Sequence, residues 1–227
     1  MFKNKKALLL DMNNTFMFGE DCFDENEDFY AYYEKINGSF KKAQLNKIII
    51  AAYDYLSVRY TDVKYRHNFP SVKQAIEKSH DQELSEAEIG KIVDTFAFHE
   101  LGHIPQKFIN ALFKLKERFV LAVVIDIWSP KKPWIEAFEQ AGINKLFSAS
   151  SFSSDHGMVK PSPKPFERVY NQLNLQNKEC LVIGDSVRRD LGGAMAAGIE
   201  CVLVGGATDL GAVGCYPSLL EFSHEMQ

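Results

Sequence analysis

Three aspartates of this chain stand where an apolar run ends: Asp11, Asp126 and Asp185. A carboxylate at such a place can attack phosphorus as a nucleophile, which divides one difficult step into two easier ones. It can also hold Mg²⁺, a cation that takes carboxylate oxygens together with water and substrate phosphate. Each aspartate alone is equally well explained as a turn or helix-cap residue. The chemical interpretation therefore depends on whether the fold brings the three together.

The apolar runs predict buried parallel strands. Continuous apolar segments too short for helices occupy residues 7–10, 119–125, 181–183 and 201–204, with a weaker candidate at 146–147. Helical patterns lie between them, at residues 105–118, 133–141, 163–173 and 187–197. Strands that alternate with helices predict an α/β fold, a Rossmann-like doubly wound parallel sheet. Because ligands bind beyond the carboxyl ends of such strands, the three aspartates should converge on one crevice.

The segment between about residues 19 and 103 has no comparable strand run. Its periodicity predicts helices at residues 29–36, 41–60, 71–79 and 85–101. We therefore predict a core built from residues 1–18 and 104–227 and an inserted α-helical cap, residues 19–103, that lies over the crevice.

Four segments in a fixed order resemble the motifs of the haloacid dehalogenase (HAD) superfamily. They are residues 11–15 (DMNNT), Ile125-Asp126 at a predicted strand end, residues 160–163 (KPSP), and residues 184–186 (GDS) followed by Asp190. The resemblance spans most of the chain. It implies a HAD-like hydrolase with a helical cap between the first and second motifs.

The resemblance also implies catalytic roles for Asp11, Asn13 and Lys160. Asp11 is the expected nucleophile, which would form an aspartyl-phosphate. The Lys160 ammonium would neutralise both the nucleophile and the phosphoryl group. The expected phosphate-binding positions are Thr15, Asp126 and Lys160.

The cofactor implied by the resemblance is Mg²⁺. Its expected ligands are Asp11, the backbone carbonyl of Asn13, and Asp185, with Asp190 orienting the surrounding shell. Clustered carboxylates would repel one another without such a metal.

Two positions depart from the HAD pattern. Asn13 replaces an aspartate that protonates the leaving group in HAD phosphatases, and an amide cannot transfer a proton at neutral pH. General acid–base catalysis contributes about 10²–10⁴-fold, so alkyl phosphates should suffer more from its loss than esters with good leaving groups. Ile125 replaces a serine or threonine that binds phosphoryl oxygens. Ser129, in the loop that follows, is a candidate to replace that hydroxyl.

A rival metal motif lies at the end of the predicted cap. Residues 99–103 have the sequence HELGH, which matches H-E-x-x-H, a pattern that places two histidines on one helical face for zinc. Pro105 favours a helix end nearby, and no third ligand follows on a matching helix. We therefore expect His99 and His103 not to bind zinc together. They are hinge residues, or one of them faces the crevice and replaces the missing acid–base group.

Composition argues against several classes of partner. A net charge of −4 without a basic stripe argues against nucleic acid. No segment approaches the roughly 18 apolar residues of a membrane span, and the apolar run after the basic start is too short for a signal peptide. Cys180 and Cys201 lie in or beside apolar runs, which is typical of buried thiols. We expect a cytoplasmic protein whose partner is a small phosphorylated metabolite.

The sequence thus predicts a Mg²⁺-dependent phosphatase that acts on a small phosphate ester. One alternative is a catalytically weakened binding or regulatory protein, since fold does not fix function. Another is a haloacid dehalogenase-type hydrolase, which also attacks through an aspartate and does not need the residue lost at Asn13. The retained Gly184-Asp185 pair favours metal-dependent chemistry.

Overall fold

A computed structural model describes residues 2–24, 26–80 and 84–226. Within these residues, six parallel strands form one sheet in the order β3-β2-β1-β4-β5-β6. The strands are β1 Ala7–Leu10, β2 Val120–Ile125, β3 Phe147–Phe152, β4 Cys180–Gly184, β5 Glu200–Leu203 and β6 Gly214–Cys215. The predicted Rossmann-like α/β fold is confirmed.

Helices alternate with these strands along most of the chain. The α-helices of the described ranges are α1 Phe29–Lys35, α2 Lys42–Thr61, α3 Val72–Ser79, α4 Glu86–Glu100, α5 Gln106–Lys116, α6 Lys132–Gln140, α7 Ser153–His156, α8 Lys164–Gln172, α9 Gly192–Ala196 and α10 Leu219–Glu225. No helix in these ranges combines the length and apolarity needed to cross a membrane.

Both faces of the sheet are covered by helices. Leu8 and Leu10 of β1 pack on the side of α5, α6 and α10. Ala7 and Leu9 pack on the opposite side, with α8 and α9. Successive side chains of a strand point to opposite faces. β1 is therefore apolar throughout, because neither of its faces meets water.

Helices α1 to α4 lie between β1 and α5 in the sequence and share a hydrophobic cluster of their own. Phe29, Leu45, Ile76 and Phe96 are among its buried members. Trp128, from the loop after β2, packs against the same cluster and ties it to the sheet. The helical character of this region matches its sequence periodicity. The division into a core (1–18, 104–227) and a cap (19–103) stays a prediction.

Strand β3 is longer than its sequence pattern indicates. The apolar signal was confined to residues 146–147, whereas the strand runs over Phe147–Phe152. It forms the edge of the sheet, where the side chains of Ser148 and Ser150 are exposed. Serines on an exposed edge carry no hydrophobic pattern, which is why the strand was underestimated.

The predicted helix at 187–197 is divided in two. A wide π-helical turn, Val187–Leu191, precedes the short helix α9. This turn brings Asp190 back against β4, so closely that a Cβ built on Gly184 would lie 2.3 Å from the Asp190 Cγ. Only glycine at position 184 permits this approach.

Candidate active site

Asp11 stands at the carboxyl end of the central strand. Leu10 is in register with Val123 of β2 and Ile183 of β4, so the three strands end at a similar level. The Asp11 N–H donates to the Ile183 carbonyl over 2.8 Å, which fixes the backbone beneath the carboxylate. Thr15 Oγ1 donates to Asp11 Oδ2 over 3.4 Å. Thr15 is buried and contacts the predicted nucleophile, while its role towards phosphate stays a prediction.

Lys160 joins two of the predicted carboxylates. Its Nζ donates to Asp11 Oδ1 over 2.5 Å and to Asp190 Oδ1 over 2.7 Å, and only 3% of its side chain is exposed. Burial raises the pKa of Asp11 to about 7, against the attraction of Lys160. Burial alone would lower the pKa of Lys160, but the charges of Asp11 and Asp190 outweigh it and raise that pKa. The lysine therefore carries a positive charge between the two carboxylates.

Asp11, Asp185 and Asp190 form an acidic cluster. One carboxylate oxygen from each lies within 4.8 Å of the other two. Burial, followed by the charge of Asp190, raises the pKa of Asp185. Like charges so close repel one another unless a cation lies among them, and an all-oxygen donor set suits Mg²⁺. The residues therefore fit a divalent cation.

Asp190 has less capacity to bind a metal than Asp185. Its Oδ1 accepts from Lys160, and its Oδ2 accepts from the Ser186 N–H over 3.0 Å. Both oxygens are thus engaged by the protein itself. The role of Asp190 in orienting the metal shell stays a prediction.

The carboxyl end of β2 contributes Asp126. Its Oδ2 accepts from the Lys160 N–H over 2.9 Å and from the Tyr60 hydroxyl of α2 over 2.8 Å. Burial raises the pKa of Asp126. Ile125 is packed in the core, and Ser129 is buried and is not among the residues that line the cavity. Neither residue presents a hydroxyl to the cavity.

The predicted residues open onto a cavity of about 70 Å³. Asp11, Asn13, Asp126 and Lys160 line it, together with residues from the helical region. The lining residues for which the sequence predicted no role in this site are Asn14, Glu20, Asp21, Tyr60, Glu100, Trp128 and Arg189.

Three lining residues hold polar atoms that have no partner among the described residues. Asn13 Oδ1, Glu20 Oε2 and Asp126 Oδ1 are buried and accept no hydrogen bond from any described residue. Partial burial raises the pKa of Glu20. Buried polar atoms are usually hydrogen-bonded, so unsatisfied atoms on a cavity wall mark places that a ligand or water can occupy.

Glu100, the last residue of α4, joins this helix to the loop after β2. Its carboxylate accepts from the backbone N–H groups of Trp128, over 2.5 Å, and Ser129, over 2.9 Å. Burial raises the pKa of Glu100 to about 7, and the charge of Asp21 adds to this effect. A glutamate in the HELGH segment thus has a structural partner that its sequence context did not indicate.

The two histidines of the HELGH segment have separate surroundings. α4 ends at Glu100, so His103 lies beyond the helix, where its backbone pairs with Phe18. His99 is buried and its Nδ1 lies 3.0 Å from Glu27 Oε1. The helical geometry that the zinc motif requires is not formed.

Comparison with known proteins agrees with this geometry. The family model "haloacid dehalogenase-like hydrolase" matches residues 5–198. The chain belongs to this family. The resemblance of its four motifs is therefore confirmed, although Asn13 and Ile125 depart from the family pattern.

The characterised relatives of this HAD-like hydrolase are distant. It is 28% identical to the glyceraldehyde 3-phosphate phosphatase of Pyrococcus furiosus over 93 residues, which are 41% of this chain and 38% of that protein. The match thus spans less than half the length of this relative.

Solved structures resemble the HAD-like hydrolase along nearly its whole length. YfnB from Bacillus subtilis, described as a HAD hydrolase bound to magnesium, has a TM-score of 0.60 at 18% identity and covers 99% of this chain and 100% of its own. A 2-haloacid dehalogenase from Pseudomonas syringae pv. Tomato DC3000 has a TM-score of 0.65 at 17% identity and covers 98% of both chains. At such identities the likeness establishes the fold alone.

Proposed function

We propose that this HAD-like hydrolase is a Mg²⁺-dependent phosphatase that acts on a small phosphate ester through an aspartyl-phosphate. The observation that carries the proposal is the buried Asp11 carboxylate, held by Lys160 at 2.5 Å beside the acidic cluster. The phosphatase named among its relatives supports the same reaction class. The buried carboxylate and ammonium suit a phosphoryl group, which needs a nucleophile and a compensating charge together.

Asp11 would carry out the first step. One of its carboxylate oxygens attacks phosphorus, and the bond from phosphorus to the ester oxygen breaks, with the electron pair leaving on that oxygen. Lys160 offsets the negative charge that develops. Water then attacks the same phosphorus, which releases inorganic phosphate and returns Asp11 as a carboxylate.

The acidic cluster would hold the metal. Asp11, Asp185 and the Asn13 backbone carbonyl would be its ligands, with Asp190 kept in place by Lys160. When bound, Mg²⁺ would neutralise charge on the phosphoryl oxygens. A HAD hydrolase described as bound to magnesium is among the similar folds, which supports the choice of ion.

Asn13 leaves the site without the side chain that would protonate the leaving oxygen in other HAD phosphatases. An alkoxide needs a proton as it departs, and the Asn13 amide cannot supply one. An aryloxide departs largely without that help. We therefore expect aryl phosphates to be hydrolysed faster than alkyl phosphates.

The proposed setting is the cytoplasm. Cys22, Cys180, Cys201 and Cys215 are free thiols, two of them exposed. Exposed free thiols favour a reducing compartment.

The test is hydrolysis of an aryl phosphate with Mg²⁺. The wild type should turn over slowly, and Asp11→Asn should lower kcat/KM by at least about 10³-fold because the nucleophile is lost. Asp155→Asn is the matched control, since Asp155 is an exposed surface residue paired with Lys131. Equal rates for wild type and Asp11→Asn would contradict the proposal and favour a binding or regulatory protein.

A dehalogenase is the second candidate, favoured by Asn13. Attack of Asp11 on carbon expels a halide that needs no proton, so the amide is no handicap there. Halide release from a 2-haloacid in the presence of EDTA, lost in Asp11→Asn, would support this candidate over the phosphatase.

A further inference from the structure

Arg189 reaches the cavity from the wide turn after β4. Its backbone N–H donates to Ser186 Oγ over 3.2 Å, which anchors the turn. The partly buried side chain lines the cavity, and its guanidinium lies 5.2 Å from the centre of the Tyr60 ring in α2. Stacking against an aromatic ring holds a guanidinium in place and leaves its N–H edge available.

This guanidinium has no carboxylate partner among the residues that the structure describes. The other cation of the cavity, Lys160, donates to both Asp11 and Asp190. Arg189 lies in the electrostatic field of Tyr60, Asp190, Asp126 and Asp11 without forming an ion pair with any of them. A charged, oriented and unpaired guanidinium on a cavity wall is an anion-binding group.

Arg189 lines the same cavity as Asp11, but its side chain contacts the helical region. Lys160 supplies the positive charge beside Asp11, where the phosphoryl group would be attacked. Arg189 instead contacts Tyr60, a residue of the helical region above the cavity. The part of a substrate that points away from Asp11 and towards α2 would meet this guanidinium.

We propose that Arg189, supported by Tyr60, binds a carboxylate on the leaving portion of the substrate. This inference rests on the proposed phosphatase function and narrows its substrate class to phosphate esters of small hydroxy acids. A planar carboxylate matches the guanidinium fork with two parallel hydrogen bonds. A cavity of about 70 Å³ suits a small acid.

Two three-carbon esters with the same skeleton test the proposal. 3-Phosphoglycerate carries a carboxylate where glycerol-3-phosphate carries an alcohol. We expect wild-type kcat/KM with Mg²⁺ to favour 3-phosphoglycerate by about ten- to hundredfold, the usual worth of a hydrogen-bonded charge. Arg189→Met should abolish this preference, and Arg189→Lys should retain part of it because charge remains without the fork.

Arg188→Met is the matched control. Arg188 precedes Arg189, and its guanidinium donates to the Thr61 carbonyl of α2 over 2.6 Å. It does not line the cavity. This variant should keep the wild-type preference, whatever it does to the overall rate. A loss of preference in Arg188→Met as large as in Arg189→Met would show that contact with α2 matters, and would overturn the proposal.

Other outcomes also decide the matter. Equal kcat/KM for the two esters in the wild type would overturn the proposal, as would an equal fall for both in Arg189→Met, which would place Arg189 on the transferred phosphoryl group. Circular dichroism confirms that each variant is folded, and Arg189→Lys serves if Arg189→Met is not.

Binding separates this inference from the proposed function. If the wild type hydrolyses neither ester, the phosphatase proposal fails, and calorimetric titration of both esters with Mg²⁺ decides the role of Arg189. Tighter binding of 3-phosphoglycerate that is lost in Arg189→Met supports the anion site without turnover. Equal binding of the two esters overturns it.

Discussion

The cavity has two walls, which differ in whether their polar groups have hydrogen-bond or ion-pair partners within the protein. On the core wall, Lys160 donates to Asp11 over 2.5 Å and to Asp190, which does not itself line the cavity, over 2.7 Å. On the cap wall, which we define as Glu20, Tyr60 and the adjoining Arg189, Glu20 Oε2 has no hydrogen-bond partner and Arg189 no carboxylate partner among the described residues.

This difference separates chemistry from recognition. On the core wall, Lys160 is held by Asp11 and Asp190 before any ligand binds, so its position is independent of the substrate's leaving group. The cap wall still has groups to satisfy, and a ligand that satisfies them gains free energy that a mismatched ligand does not. In the proposed phosphatase, the core wall would carry out the reaction and the cap wall would select the ester.

We expect the largest effect on activity and stability from removing Lys160, the cation of the core wall. Lys160→Met leaves the buried Asp11 and Asp190 carboxylates without their counter-charge. We expect kcat/KM for an aryl phosphate to fall by about 10²–10³-fold or more. We also expect unfolding in EDTA at neutral pH to become easier by about 3–5 kcal/mol, measured by urea denaturation.

The exposed pair of Lys131 with Asp155 provides the control for Lys160→Met. Its atoms are as close, at 2.7 Å, but both side chains are about two-fifths exposed. Lys131→Met should cost about 1 kcal/mol at most. Equal costs for the two variants would show that the core wall is no more interdependent than the surface.

We expect a smaller effect, on the pH dependence of stability, at Glu100, which joins α4 to the loop after β2. Its folded-state pKa is raised from 4.5 to about 7. The folded state therefore holds the Glu100 proton more tightly than the unfolded state does. The stability that comes from this proton is fully present below about pH 4.5 and is lost as pH rises through about 7, which lowers the free energy of unfolding by up to about 3 kcal/mol. Glu100→Gln lacks this dependence, so the variant should gain stability relative to wild type as pH rises across that window.

Urea denaturation in EDTA at about pH 5 and about pH 8 measures the effect of Glu100→Gln. The difference between variant and wild type matters here, because Asp11 and Asp126 titrate in both proteins. A difference that stays constant with pH would contradict a raised pKa for Glu100.

We expect the smallest effect, a change in ester turnover, from a substitution at Asn13. This residue stands beside the core wall, yet its Oδ1 lacks a described partner, as on the cap wall. Asn13→Asp restores a group that can transfer a proton, so alkyl phosphate turnover should rise by about tenfold, more than aryl phosphate turnover. Ile125, which offers no hydroxyl, should hold the gain below the full 10²–10⁴-fold that acid–base action can supply.

Steady-state rates with both ester classes at saturating Mg²⁺ test Asn13→Asp, alone and with Ile125→Ser. A uniform gain for aryl and alkyl esters would argue against restored proton transfer. No gain in any variant, with activity lost in His103→Ala, would identify a substitute acid from the helical region.

The core wall could be predicted from the sequence, and the cap wall could not. Asp11 and Asp185 follow short apolar runs that can only be buried strands, and parallel strands bring their carboxyl ends to one edge. Lys160 was found through its motif. In these cases local sequence determines the position, because the sheet fixes where each strand ends.

Tyr60, Glu100 and Arg189 had no such signal. Helical periodicity predicts that α2 is a helix, but where its Tyr60 points depends on how the helix docks. Arg188 and Arg189 are adjacent and chemically identical, yet one binds a helix end and the other a cavity. The wide turn makes these two side chains point in different directions. The sequence does not distinguish it from an ordinary helix, because a π-type turn has no distinct composition.

The contact between Gly184 and Asp190 constrains how this site can evolve. The Asp190 carboxylate lies so close to the Gly184 Cα that only a hydrogen atom fits between them. A Cβ at position 184 would lie 2.3 Å from the Asp190 Cγ. Any side chain at 184 must displace Asp190, whose Oδ1 lies 2.7 Å from Lys160. The position is therefore closed to mutational drift even though Gly184 itself takes no part in the chemistry. Part of the catalytic geometry is encoded by steric exclusion at a residue that has no functional group.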